Sequence, residues 1–95
     1  MSRPKKCRCL DYKPPASSFK PCGCKCAREI VVFADETEVL KLMDYDDMTQ
    51  EETATKLGVS RVTVQRIYKS GRNKIAQAIV LGARINFEGG GEKNG

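Results

Sequence analysis

The stretch from Thr49 to Ile67, reading TQEETATKLGVSRVTVQRI, narrows the possible folds of this chain more than any other part of it. Thr49 and Glu52 form a capping box, in which each side chain accepts a hydrogen bond from the other residue's backbone N–H and so starts a helix. Gly58 supplies the left-handed backbone that ends this helix, and Ser60 is placed to cap the next. Two helices joined by so short a turn must cross at a steep angle, and the residues meet the packing demands of that crossing. Ala54 is small where the second helix passes, Val59 fills the angle, and Leu57, Val64 and Ile67 build the shared core. An ordinary helical hairpin with a fortuitous glycine would need only one of these six places. Thr53 is the untypical one, since an apolar residue or Gln usually stands there.

From Arg61 onward, Val64, Ile67, Gly71, Ile75, Ala78 and Ile79 return to one face at steps of three or four, and Gly82 closes the run. The spacing predicts one long helix. Upstream, Asp35 and Glu38 match a second capping box, and Val39, Leu40, Leu42 and Met43 follow at helical spacing, predicting a helix from Glu36 to about Tyr45. Asp44, Asp46 and Asp47 read as a solvated connector. Ile30 to Phe33 is a β-branched and aromatic run that reads as a strand, and Ala83 to Phe87 alternates weakly and suits a partner strand. The expected fold is mainly α: a three-helix helix-turn-helix domain over residues 29–87 with a short two-stranded β pairing. Residues 1–28 hold all five Cys and all four Pro and read as an arm, and residues 88–95 read as a disordered tail. A chain of 95 residues hides only about 60% of its unfolded surface, so its core is thin.

Charge is distributed in blocks. Residues 1–28 carry eight Lys or Arg against one Asp, residues 29–59 carry two against nine acids, and residues 60–84 carry six against none. Six cations without an anion along one helical stretch repel one another, and a polyanion relieves that repulsion. With the core face centred on Val64 and Ile67, a rotation of about 100° per residue turns Val62, Gln65, Arg66, Lys69 and Asn73 outward. Arg66 and Gln65 have the forked and amide shapes that read guanine and adenine edges, and Val62 or the Thr63 methyl suits a thymine methyl. Arg61, Lys69, Arg72 and Lys74 suit phosphates, and Ser60 opens the helix. In the arm, Arg3, Lys5 and Lys6, with Arg8 close by, suit either a minor groove or a flexible tail that adds non-specific affinity. If six to eight cations touch phosphates, log affinity falls against log salt with a slope of roughly −5 to −7. The bland alternative is a solvated amphipathic face.

Histidine is absent, and no G-x-S-x-G elbow, phosphate-binding glycine loop or H-E-x-x-H is present, which argues against an enzyme. Gly89 to Gly91 lie in the tail with no helix after them. No apolar run reaches 18 residues and no apolar stretch follows the basic start, so a cytoplasmic protein with no leader and no membrane partner is expected. Three Tyr and three Phe, none on the basic face, disfavour single-stranded RNA, and Tyr68 reads as packing. The cysteines cluster as Cys7 and Cys9, then Cys22, Cys24 and Cys26. Thiolate binding of zinc, an iron-sulfur cluster and a redox-sensitive disulfide are all open, with zinc first, because four thiolates would tie an arm that lacks a core. Structural zinc sites space their Cys more widely than C-x-C, and reduced thiols without a role remain open as well.

Arg3-Pro4, Phe19-Lys20-Pro21, Val31-Val32, Asp35-Glu36, Gln50-Glu51-Glu52, Gly58-Val59-Ser60-Arg61, Arg66-Ile67 and Arg72-Asn73-Lys74 together resemble the bacterial and archaeal family called domain of unknown function 134. The resemblance spans nearly the whole chain. It implies a helix-turn-helix similar to region four of the sigma-70 factors, with Val59-Ser60-Arg61 opening the recognition helix, and hence a transcriptional regulator of double-stranded DNA. Region-four-like domains also meet RNA polymerase. Many helix-turn-helix domains act as homodimers, although no heptad marks a dimer surface here. The competing function is a metal-binding or redox-sensing module whose helix-turn-helix binds protein. Two departures stand out: Cys22 to Cys26, where relatives carry Gly and aliphatic residues, and Gly71, where Ala is common and a softer middle of the long helix is implied.

Overall fold

The computed structural model describes residues 10–23 and 28–91. Strand β1 is Ser18–Phe19 and β2 is Glu29–Val32; helix α1 is Ala34–Leu40 and runs on as a wider π turn over Lys41–Tyr45. Helix α2 is Gln50–Leu57, α3 is Arg61–Leu81, and β3 is Arg84–Phe87. The molecule is thus mostly helical, with a small mixed sheet.

The caps around the central turn form as the sequence dictates. Thr49 Oγ1 accepts from Glu52 N at 3.0 Å and Glu52 Oε1 accepts from Thr49 N at 2.9 Å. Gly58 sits at φ +73°, and Ser60 Oγ accepts from Thr63 N at 3.1 Å. Gly82 ends α3 at φ +66°. Val39, Leu42, Ala54, Leu57 and Val64 make the buried core, with Met43, Met48, Val59, Ile67 and Tyr68 packed around it. Thr53 is fully buried beside them, and its hydroxyl has no hydrogen-bond partner among the described residues.

The start of α1 differs from expectation. Phe33, not Asp35, is the extended residue at the entry, and Glu36 Oε1 accepts from Phe33 N at 2.8 Å. Glu38 is thereby left free of the cap. It is buried and accepts from the backbone N–H of Asp11 (3.0 Å) and Tyr12 (2.7 Å), tying the arm to the helix. Gly71 also has a different reason from the one its helix propensity suggests. A Cβ there would lie 3.2 Å from Leu40 Cδ1 and 3.3 Å from Glu36 Cβ, so the glycine lets α1 cross α3 closely. Ile79, expected on the core face, is 75% exposed. Ala78, which is buried, takes the covered place, and one step of about 100° turns Ile79 away.

The sheet has three strands in the order β1-β3-β2, not two. β2 runs parallel to β3, with Ile30 opposite Ile85 and Val32 opposite Phe87, and all three helices form the crossover between them. β1, which two residues were too few to announce, pairs antiparallel with β3, and Phe19 meets Phe87 edge to face at 5.4 Å. The tail expected to be disordered from Glu88 holds fixed contacts through Gly91. Ala34 N donates to Glu88 Oε1 at 2.7 Å, satisfying an orphan donor at the start of α1, and Gly91 N donates to Pro14 O at 3.0 Å. Gly90 is buried, and a Cβ there would stand 2.5 Å from Ala16 O. Residues 92–95 lie outside the described residues.

Candidate nucleic-acid interface

α2 and the turn at Gly58 hold the first half of α3 with Val64 and Ile67 inward, which leaves Val62, Gln65, Arg66, Lys69 and Asn73 exposed on one face. Val62 is 59% exposed although apolar. Ser60 and Thr63 are occupied at the helix start, their hydroxyls 3.0 Å apart.

The cations expected to act alike are held in three different ways. Arg66 and Lys69 make no ion pair among the described residues and border a shallow hollow with Ser70, Asn73 and Gln77. Arg61 reaches Glu51 at 3.5 Å and Arg72 reaches Asp44 at 3.5 Å, both with exposed side chains. Pairs of this kind contribute roughly 0–1 kcal/mol and yield readily to a phosphate. Lys74 is different. Its Nζ lies 2.8 Å from Glu36 Oε1 and 3.9 Å from the centre of the Phe33 ring, and Ser70 Oγ donates to the other Glu36 oxygen at 2.5 Å. With side-chain exposures of 21% for Lys74 and 6% for Glu36, this cation is committed to the protein's own carboxylate. Its expected role on a phosphate loses its charge; it locks α3 to α1 instead.

Two contacts escaped the sequence. Gln65 Nε2 donates to Gln50 Oε1 at 2.9 Å, which fixes the outward amide against the first turn of α2, and Gln77 Nε2 donates to Asn73 Oδ1 at 2.6 Å. The i to i+4 spacing of Asn73 and Gln77 signals the second; nothing local signals the first. Tyr68 packs at the core edge, donates to Asp44 Oδ1 at 2.8 Å and lies under Arg72 at 5.1 Å. The bond to Asp44, with burial adding to it, raises its phenol above the ordinary tyrosine range. Lys41 is likewise raised, first by its bond to Asp46.

Cys22 is exposed and forms no disulfide among the described residues. Cys7, Cys9, Cys24 and Cys26 lie outside the described residues, as do Arg3, Lys5, Lys6 and Arg8. Among the described residues, no helix is long and apolar enough to cross a membrane.

The family described as "Protein of unknown function DUF134" matches residues 1–94. This chain belongs to the DUF134 family. A UPF0251 protein of Desulforudis audaxviator is 41% identical over 92 residues, covering 95% of this chain and 60% of the relative. One of Halothermothrix orenii is 41% identical over 95 residues, covering 98% and 70%, and one of Clostridium novyi is 41% identical over 92 residues, covering 95% and 63%. The DUF134 chain thus spans about two thirds of the length of these relatives. No solved structure matches it.

Proposed function

We propose that this chain binds duplex DNA through the exposed face of α3 and acts as a sequence-specific transcriptional regulator. The observation that carries the reading is the pair Arg66 and Lys69: two cations without carboxylate partners among the described residues, beside exposed Gln65, Val62 and Asn73, on a helix braced by α2. An amphipathic helix that only faces water gains nothing from such a cluster. Arg66 and Gln65 read base edges, and Val62 offers methyl contact to thymine. Arg61, Lys69 and Arg72 set the register on phosphates.

The commitment of Lys74 to Glu36 lowers the expected salt dependence. With about three phosphate contacts from α3, log affinity falls against log salt with a slope of about −2.7, and steeper only if the arm adds contacts. Fluorescence anisotropy with a labelled mixed-sequence duplex across salt concentrations measures it. Arg66→Ala weakens binding to selected sites by about 1–3 kcal/mol and relaxes preference at one base pair. A salt-independent association, or an Arg66→Ala protein that binds and selects like the parent, overturns the reading.

A further inference from the structure

The two edges of the sheet are built differently. β1 is only two residues long, with Pro14-Pro15 before it and Lys20-Pro21 after it, residues that discourage another strand from adding there. β2, at the other edge, reads Glu-Ile-Val-Val, with neither Pro nor Lys. Among the described residues no strand pairs with its outer side.

We propose that two copies of this chain join through this edge, β2 against β2, antiparallel about a twofold axis at Ile30. The register follows from the ladder. Arg84 N donates to Arg28 O and Glu88 N donates to Val32 O, so the backbone groups of the even-numbered residues face β3. The period of two then places the N–H and C=O of Glu29 and Val31 on the open edge. With Ile30 facing its own copy, Glu29 pairs with Val31 of the second copy and Val31 with its Glu29, giving four backbone hydrogen bonds. The neighbouring registers are worse. A twofold at Glu29 sets like charges opposite one another, and a twofold at Val31 needs Phe33, whose N–H already donates to Glu36.

A second copy suits this face better than a charged partner does. α3 packs over β2, carries no charged residue from Ile75 to Leu81, and leaves Ile79, Val80 and Leu81 exposed at 75%, 81% and 40%. A neutral end lets two molecules that each carry +5 approach one another. Three paired residues per copy and a few apolar side chains fall well short of the roughly 800 Å² per partner of a stable complex, so the dimer is weak, with a dissociation constant of about 10 µM to 1 mM. On duplex DNA such a pair presents two recognition helices to an inverted repeat; that use, but not the dimer itself, rests on the DNA-binding reading of α3.

Sedimentation equilibrium of the full chain, reduced and free of nucleic acid, over about 10 µM to 1 mM tests the proposal. The expected mass rises with concentration from 10.5 kDa towards twice that and stops there, because the β1 edge is guarded. Val31→Pro removes an outward N–H without touching the ladder to β3 and raises the dissociation constant at least about tenfold, since it takes away two of the four bonds. Val80→Lys, at an exposed position that leaves the fold intact, acts in the same direction. Amide exchange at Val31 slows with concentration while that at Ile30 does not. A chain monomeric throughout, open-ended assembly, or a dimer indifferent to both substitutions overturns the proposal. DNA binding by a strict monomer would sink the dimer and leave the DNA reading standing; a dimer that ignores DNA would do the reverse.

Discussion

Replacing Lys74 with Met separates architecture from DNA binding, because this residue sits on the basic helix yet points its charge inward. The substitution keeps the aliphatic stem and removes the ammonium 2.8 Å from Glu36. Glu36, with its side chain 6% exposed, then keeps, among the described residues, the Phe33 N–H and the Ser70 hydroxyl as donors to its carboxylate. Breaking a fully buried pair costs about 3–5 kcal/mol. Lys74 retains 21% of its side-chain surface, so water softens the loss to about 2–3 kcal/mol. A domain of this size has a stability of roughly 5–14 kcal/mol, so the loss is a large share. Urea unfolding followed by circular dichroism reads it as a lower midpoint with an unchanged slope. The same protein, assayed while folded, should bind duplex DNA with nearly the parent's salt slope, whereas Arg66→Ala should leave the unfolding midpoint almost alone and weaken binding. A Lys74→Met protein as stable as the parent but with the salt slope reduced by about one would refute the reasoning, for it would mean that the ammonium meets phosphate and not Glu36.

Thr53→Val exchanges a buried hydroxyl that lacks a partner for a methyl group of similar shape, and should stabilise the fold by about 1–2 kcal/mol; a destabilised variant in the same urea titration would mean that the hydroxyl is bonded after all. The Tyr68 phenol has a raised pKa in the folded protein, so its contribution is complete below the ordinary tyrosine range and is lost as pH rises through the folded value. The stability gap between the parent and Tyr68→Phe, about 1 kcal/mol, should therefore be flat from about pH 8 to 9 and close above about pH 10. Lys41 titrates in both proteins and cancels in the comparison. A gap that widens with alkali would contradict the assignment of Asp44 as acceptor.

The central turn was legible because its determinants are local: a capping box closes over three residues, and a left-handed turn asks for glycine at one place. The outward set from Val62 to Asn73 was legible for a similar reason, since the helical period alone decides it once Val64 and Ile67 are inside. What escaped depends on residues far apart in the chain. Two capping patterns compete at the start of α1, Phe33 with Glu36 and Asp35 with Glu38, and the outcome turns on Glu38 being drawn to the backbone of Asp11 and Tyr12, more than 20 residues away. Lys74 and Glu36 stand 38 residues apart, and no periodicity joins them. β1 is two residues long, below the length at which alternation means anything.

The position of β3 in the middle of the sheet bears on how the molecule comes into being. Arg84–Phe87, late in the chain, must slide between Ser18–Phe19 and Glu29–Val32, both made much earlier. During synthesis the two early segments have no neighbour to bond, while Thr49 to Leu81 can already coil and turn as each stretch leaves the ribosome. Until Arg84–Phe87 is made, neither early strand has its partner, so the sheet is the last part of the fold that the growing chain can complete.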